Sequence, residues 1–143
     1  MNTTKILIGA LIGAIVNFLA GWLVYGILLK DAMDKAMTVE AKAVSKPEPN
    51  LVGMFVAGFI FCLLFSYIFE QWAKIRSLMG GLVAGGLMGL CISLAFDIQF
   101  MSMLNMFTGT GGMIMDVCAG TVMSALTGAG IGWYLGLNRK EAV

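Results

Sequence analysis

Four stretches of this chain run without a single charged side chain for longer than ordinary soluble helices or strands do. Ile6 to Leu29 is 24 residues long, and Leu51 to Phe69, Leu78 to Phe96 and Val117 to Leu137 are of the same kind. At a helical rise of about 1.5 Å per residue, 24 residues cover roughly 36 Å, more than the ~30 Å of a bilayer's hydrocarbon core. Hydrocarbon offers no hydrogen bonds, so a backbone crossing it must satisfy its own amides, and uncharged runs of this length do so as helices. The expected fold is therefore all-α: a bundle of four transmembrane helices in a single membrane domain, 1–143. Composition agrees, with 59% apolar and 12% charged residues against about 45–50% and 25% in soluble domains. The first stretch is too long and too evenly apolar for the core of a signal peptide, and is expected to remain as a span.

The connections differ in character. Lys30, Asp31, Asp34 and Lys35 stand at three- and four-residue spacing, as charges do when they pair on a continuing helix. Residues 38–50 form the one clearly hydrophilic linker, and Pro47 and Pro49 favour an extended path through it. Glu70 stands four residues before Lys74, the spacing of a surface ion pair. In the segment 97–112, Phe100, Met103, Leu104 and Phe107 share one helical face, and Thr108 to Gly112 reads as a breaker. Too short to cross a membrane, the segment is expected to lie in the interface. Lys5, Lys74, Arg76, Arg139 and Lys140 fall on one side of four spans, and Lys30, Lys35, Lys42 and Lys46 on the other. Lys42 and Lys46 are far from a span end and 97–112 has no Lys or Arg, so the positive-inside rule places both termini in the cytoplasm, for a bacterial inner-membrane protein.

Inside the spans, small residues recur every four positions. Gly9, Gly13, Asn17 and Gly21 form one row; Gly81, Gly85, Gly89, Ser93 and Asp97 a second; Asp116, Gly120, Ser124, Gly128, Gly132 and Gly136 a third. Residues four apart stack on one helical face, and such shallow faces let membrane helices approach closely. A row facing outward would suit a homodimer or a partner membrane protein.

Three polar residues in these rows are candidates for transport or binding. Asn17 is near mid-span, where an amide needs a hydrogen bond, either to a neighbouring helix or to a permeating solute. Asp97 and Asp116 close the second row and open the third, which puts them at the same membrane face in an antiparallel hairpin. Facing carboxylates bind cations or protons; the simpler reading gives Asp116 an N-capping role. Cys62, Cys91 and Cys118 are scattered through three stretches and read as small buried hydrophobes. Met101, Met103, Met106, Met113 and Met115 read as packing residues more readily than as a copper site. Histidine is absent, and with it the commonest metal and proton-relay ligand. No phosphate-binding loop, zinc-protease motif or nucleophile elbow occurs, so no catalytic residue, cofactor or metal is expected. Nine basic against eight acidic residues give no case for nucleic acid.

The run Ala14-Ile15-Val16-Asn17-Phe18-Leu19-Ala20-Gly21-Trp22-Leu23-Val24-Tyr25-Gly26, followed by Lys30 and Asp31, resembles the opening helix of the four-helix membrane family called DUF1761. There a glycine followed closely by Trp and Tyr ends the first helix. The resemblance implies four spans and carries no activity with it. The residues themselves point to a non-enzymatic structural or accessory membrane subunit, with a small oligomeric channel or transporter for an ion or small solute as the alternative.

Overall fold

The computed structural model describes residues 2–137. Its helices are α1 (Thr3–Leu23), α2 (Lys30–Ala36), α3 (Val39–Val44), α4 (Leu51–Tyr67), α5 (Leu78–Met103) and α6 (Thr110–Leu137). No strand occurs among the described residues. α1 runs on through a π-helical turn, Val24–Leu28, and α4 through another, Ile68–Ala73. With these extensions, four helices are long and apolar enough to cross a membrane: Thr3–Leu28, Leu51–Ala73, Leu78–Met103 and Thr110–Leu137.

Local chemistry accounts for where the helices begin. The side chains of Asn2, Asn50 and Ser77 accept from the backbone N–H of Lys5, Gly53 and Gly80, at 3.2, 3.0 and 3.1 Å. Each satisfies one of the amide donors that a helix start leaves open. The second span ends on Lys74, whose φ of 54° turns the chain into the left-handed region. Ile75 N–H then closes back on the Phe69 carbonyl at 2.9 Å, a C-terminal closure that packs the half-buried Ile75 against the core.

The four spans pack in the order α4, α1, α6, α5, neighbours in sequence being antiparallel. α5 and α6 form the most intimate pair. An added Cβ at Gly81 or Gly128 would strike the other residue's carbonyl group, and one at Gly85 would lie 2.9 Å from the Gly128 Cα. Over Gly81, Gly85, Gly128 and Gly132 the two rows thus meet backbone to backbone, while Gly89 and Gly120 face the side chains of Ser124 and Ser93. The α1 row is used differently. A Cβ at Gly9 would lie 2.6 Å from Ser66 Oγ, one at Gly13 2.7 Å from Ile131 Cδ1, and one at Gly21 3.1 Å from Met123 Cε. That row admits side chains from α4 and α6 as knobs. All three rows are spent within the chain, so none of them faces outward. Between α1, α4 and α6 lies the main apolar core, with Ala10, Ala14, Cys62, Phe65, Phe69, Ile131 and Leu135 buried together.

Several connections depart from their sequence-based expectation. No separate interfacial helix forms over 97–112: α5 continues to Met103, and α6 already begins at Thr110. Only 104–109 leaves helical structure. Its backbone pairs instead with the end of α2, through Thr38 N–H to Met106 O at 3.0 Å and Thr108 N–H to Ala36 O at 2.8 Å. A distant segment therefore satisfies the amides that a free interfacial helix would have paired locally. The linker 38–50 holds the short helix α3, started by Thr38, whose side chain accepts from Ala41 N–H at 3.2 Å; the helix stops before the prolines. Asp34 pairs across this turn with Lys42 at 3.1 Å. Cys62 is buried, whereas Cys91 and Cys118 lie on the exterior of the bundle. Arg139 and Lys140 lie outside the described residues.

Candidate functional site

The three small-residue rows converge at one end of the bundle, and each terminates there in a polar side chain. The α5 row ends at Asp97 and the α6 row starts at Asp116. The α1 row, extended one step beyond Gly21, arrives at Tyr25. Tyr25 Oη donates to Asp116 Oδ1 at 2.7 Å. The seam pairs Gly81 with Gly132, Gly85 with Gly128, Gly89 with Ser124 and Ser93 with Gly120, and the next step of the same register sets Asp97 opposite Asp116. Three helices thus bring a phenol and two carboxylates together at the end where 104–109 closes over the bundle.

Their environments are unequal. Asp97 is 7% exposed, and its Oδ2 is sealed from solvent with no hydrogen-bond donor among the described residues. Asp116 and Tyr25 are half-buried. Neither aspartate belongs to the two ion pairs among the described residues, Lys42–Asp34 and Arg76–Glu70. Asp116 is not an N-cap: α6 begins six residues earlier, at Thr110, so the helix dipole's unpaired donors lie more than a turn away. Asp97 likewise sits six residues inside the end of α5. Both carboxylates belong to the helix barrel and not to its rim.

Tyr25 was not legible as a site residue from polarity alone, because interfacial tyrosines are common at span ends. The usable signal was register. Tyr25 continues the series 9, 13, 17, 21 and lies in the π-helical turn Val24–Leu28, where widened winding re-aims side chains, a geometry frequent at functional sites.

Asn17 is elsewhere, between α4 and α6. Its Oδ1 accepts from Thr127 Oγ1 at 3.4 Å, a long bond, since the same hydroxyl also donates to Met123 O at 2.8 Å. A Cβ on Gly58 would come within 3.0 Å of its Nδ2. Asn17 therefore does not join the aspartates. At the opposite end, Glu70 is buried rather than a surface charge. Arg76 Nη2 donates to its Oε1 at 2.9 Å, while Lys74 Nζ bonds only the Glu70 carbonyl, at 3.1 Å. Among the described residues no group of three or more His, Cys, Asp or Glu could hold a metal ion.

Four long apolar helices closed around glycine seams define a polytopic membrane bundle. The sequence model of the family described as "Protein of unknown function (DUF1761)" matches residues 8–131. The chain belongs to that family, and the match takes in all three converging rows except the last steps of α6. No curated protein and no solved structure matches the chain.

Proposed function

We propose that this chain is a non-enzymatic membrane protein that acts through packing, as a structural or accessory subunit of the membrane. The observation that carries this reading is the α5–α6 seam. Backbones in contact over Gly81, Gly85 and Gly128 leave no room for a path between those helices. Asn17, the one amide near mid-span, is engaged with Thr127. The exterior is apolar, with Leu19, Trp22, Leu28 and Leu87 well exposed, and meets the bilayer. A partner membrane protein or a second copy would dock on such side chains, because the glycine rows are already filled. The charge distribution supports a bacterial inner-membrane protein with both termini in the cytoplasm: Lys5, Lys74 and Arg76 gather at one end, and the other end's bases stand on α2 and the linker.

A small channel or transporter is the second reading, favoured by the sealed Oδ2 of Asp97. Cysteine accessibility in intact cells separates the two. On a background with Cys62, Cys91 and Cys118 replaced, Asn17→Cys is expected to resist a membrane-impermeant thiol reagent applied from outside. Labelling at position 17 would mean that water reaches mid-bilayer, and would replace the packing reading with the permeation one.

A further inference from the structure

We propose that Asp97 and Asp116 form a proton-binding site, holding one proton between their carboxyl groups, with Tyr25 as the positioning residue that orients Asp116. This goes beyond the packing role and does not rest on it.

Geometry makes the case. Two ionised carboxylates carry only acceptor atoms, so they cannot hydrogen-bond each other. Here the register of the α5–α6 seam sets them face to face, and Asp97 Oδ2 has neither solvent access nor a donor among the described residues. An orphaned buried oxygen beside a second carboxylate lacks one positively charged or donating group. A cationic side chain does not supply it, since neither aspartate is in an ion pair among the described residues. The groups that face the pair are Tyr25 from α1, and Asp97 and Asp116 from each other's helix. Tyr25 has one hydroxyl proton, and its 2.7 Å bond directs that proton to Asp116 Oδ1. Asp97 is left without a donor. One proton placed between the carboxyls completes the set, making one a donor and the other its acceptor.

A metal ion fits less well. Calcium takes six to eight oxygens and magnesium a near-ideal octahedron, whereas this site offers two carboxylates and one phenol already committed as a donor. The unequal burial also suits a proton. Half-buried Asp116 gives an exchange route, and sealed Asp97 keeps the bound state dry. Because the pair closes the seam at the end where α5 turns into α6, losing the proton would set two like charges against each other there.

The test is infrared spectroscopy of the full chain in lipid nanodiscs, with the side-chain carboxyl of aspartate labelled with carbon-13. The chain has four aspartates, Asp31, Asp34, Asp97 and Asp116. The wild type at neutral pH is expected to show one labelled, protonated-carboxyl C=O band that shifts in heavy water and disappears on alkalinisation. Asp97→Asn should abolish that band, since the Asn amide donates to Asp116 in place of the proton. Tyr25→Phe should keep the band and shift its frequency by removing the bond to Asp116. Absence of the band in the wild type would overturn the proposal without any variant having to fold. So would its survival in Asp97→Asn, or its loss on adding sodium or calcium at constant pH, which would assign the site to a metal cation.

Discussion

Replacing Gly128 by alanine gives the most direct test of the α5–α6 seam. The new Cβ would overlap the Gly81 carbonyl oxygen and lie 2.8 Å from the Gly85 Cα, about 0.6 Å inside ordinary contact. Both obstacles are backbone, so no rotamer change relieves them and the helices must separate. Overpacking of this kind costs about 1–3 kcal/mol. A gap of 0.5–1 Å opened along the neighbouring contacts forfeits a quarter to a half of their dispersion energy, which puts the seam near the upper figure. Glycine to alanine in a helix by itself gains about 0.5–1 kcal/mol, leaving a net loss of roughly 2 kcal/mol. Gly111 is the control: it lies in the first turn of the same helix with nothing within 4 Å of its added Cβ, so Gly111→Ala meets no clash and should leave stability nearly unchanged. The gap between the two variants is then about 2 kcal/mol, roughly thirtyfold in the folded-to-unfolded ratio. Steric trapping in bicelles measures it, with far-UV circular dichroism as a check on helix content. If Gly128→Ala is as stable as Gly111→Ala, the backbones are not in contact and the packing argument fails.

Three further outcomes are expected at the other end of the bundle. Arg76→Ala strands the buried Glu70 carboxylate and should cost about 2 kcal/mol, less than for a fully buried pair because Arg76 is partly exposed; a double-mutant cycle should find Glu70→Gln restoring most of it, and no coupling would remove the ion pair from the account. Ser66→Ala deletes the buried bond from Ser66 Oγ to Ile6 O at 2.9 Å, for a loss of about 1 kcal/mol; an unchanged unfolding midpoint would mean that α1 does not depend on this tie. Lys74→Gly relieves the left-handed residue at the end of the second span and should stabilise by about 0.5–1 kcal/mol despite losing the lysine's bond to Glu70 O; destabilisation in the same assay would show that bond to outweigh the strain.

The four spans were legible because hydrophobic run length is a one-dimensional property: 20-odd uncharged residues in lipid have helix as their economical solution. The period-four rows were equally plain. So was the placing of Asp97 and Asp116 at a common end, since a hairpin between long helices allows no other arrangement. Sequence period, however, says which residues share a face and not what that face meets. The same small-residue pattern receives backbone between α5 and α6, and side chains such as Ile131 and Ser66 on α1. Whether a glycine row seats a carbonyl or an isoleucine depends on the crossing partner. That partner is chosen by the packing of the whole bundle.

Tertiary structure likewise decided the ends. Propensity ended α5 near Phe96 and read 97–112 as an interfacial helix, but pairing of 104–109 with Ala36 and Thr38 drew the chain into a tight closure and let both helices run on. The longer helices carried Asp116 away from any capping role. Two π-helical turns then determined which polar groups point inward: Tyr25 in one and Glu70 in the other. Local sequence prescribed helices and their rows. Only the meeting of three rows in space put a phenol and two carboxylates at one point, because those groups lie up to 91 positions apart in the chain and share nothing but register.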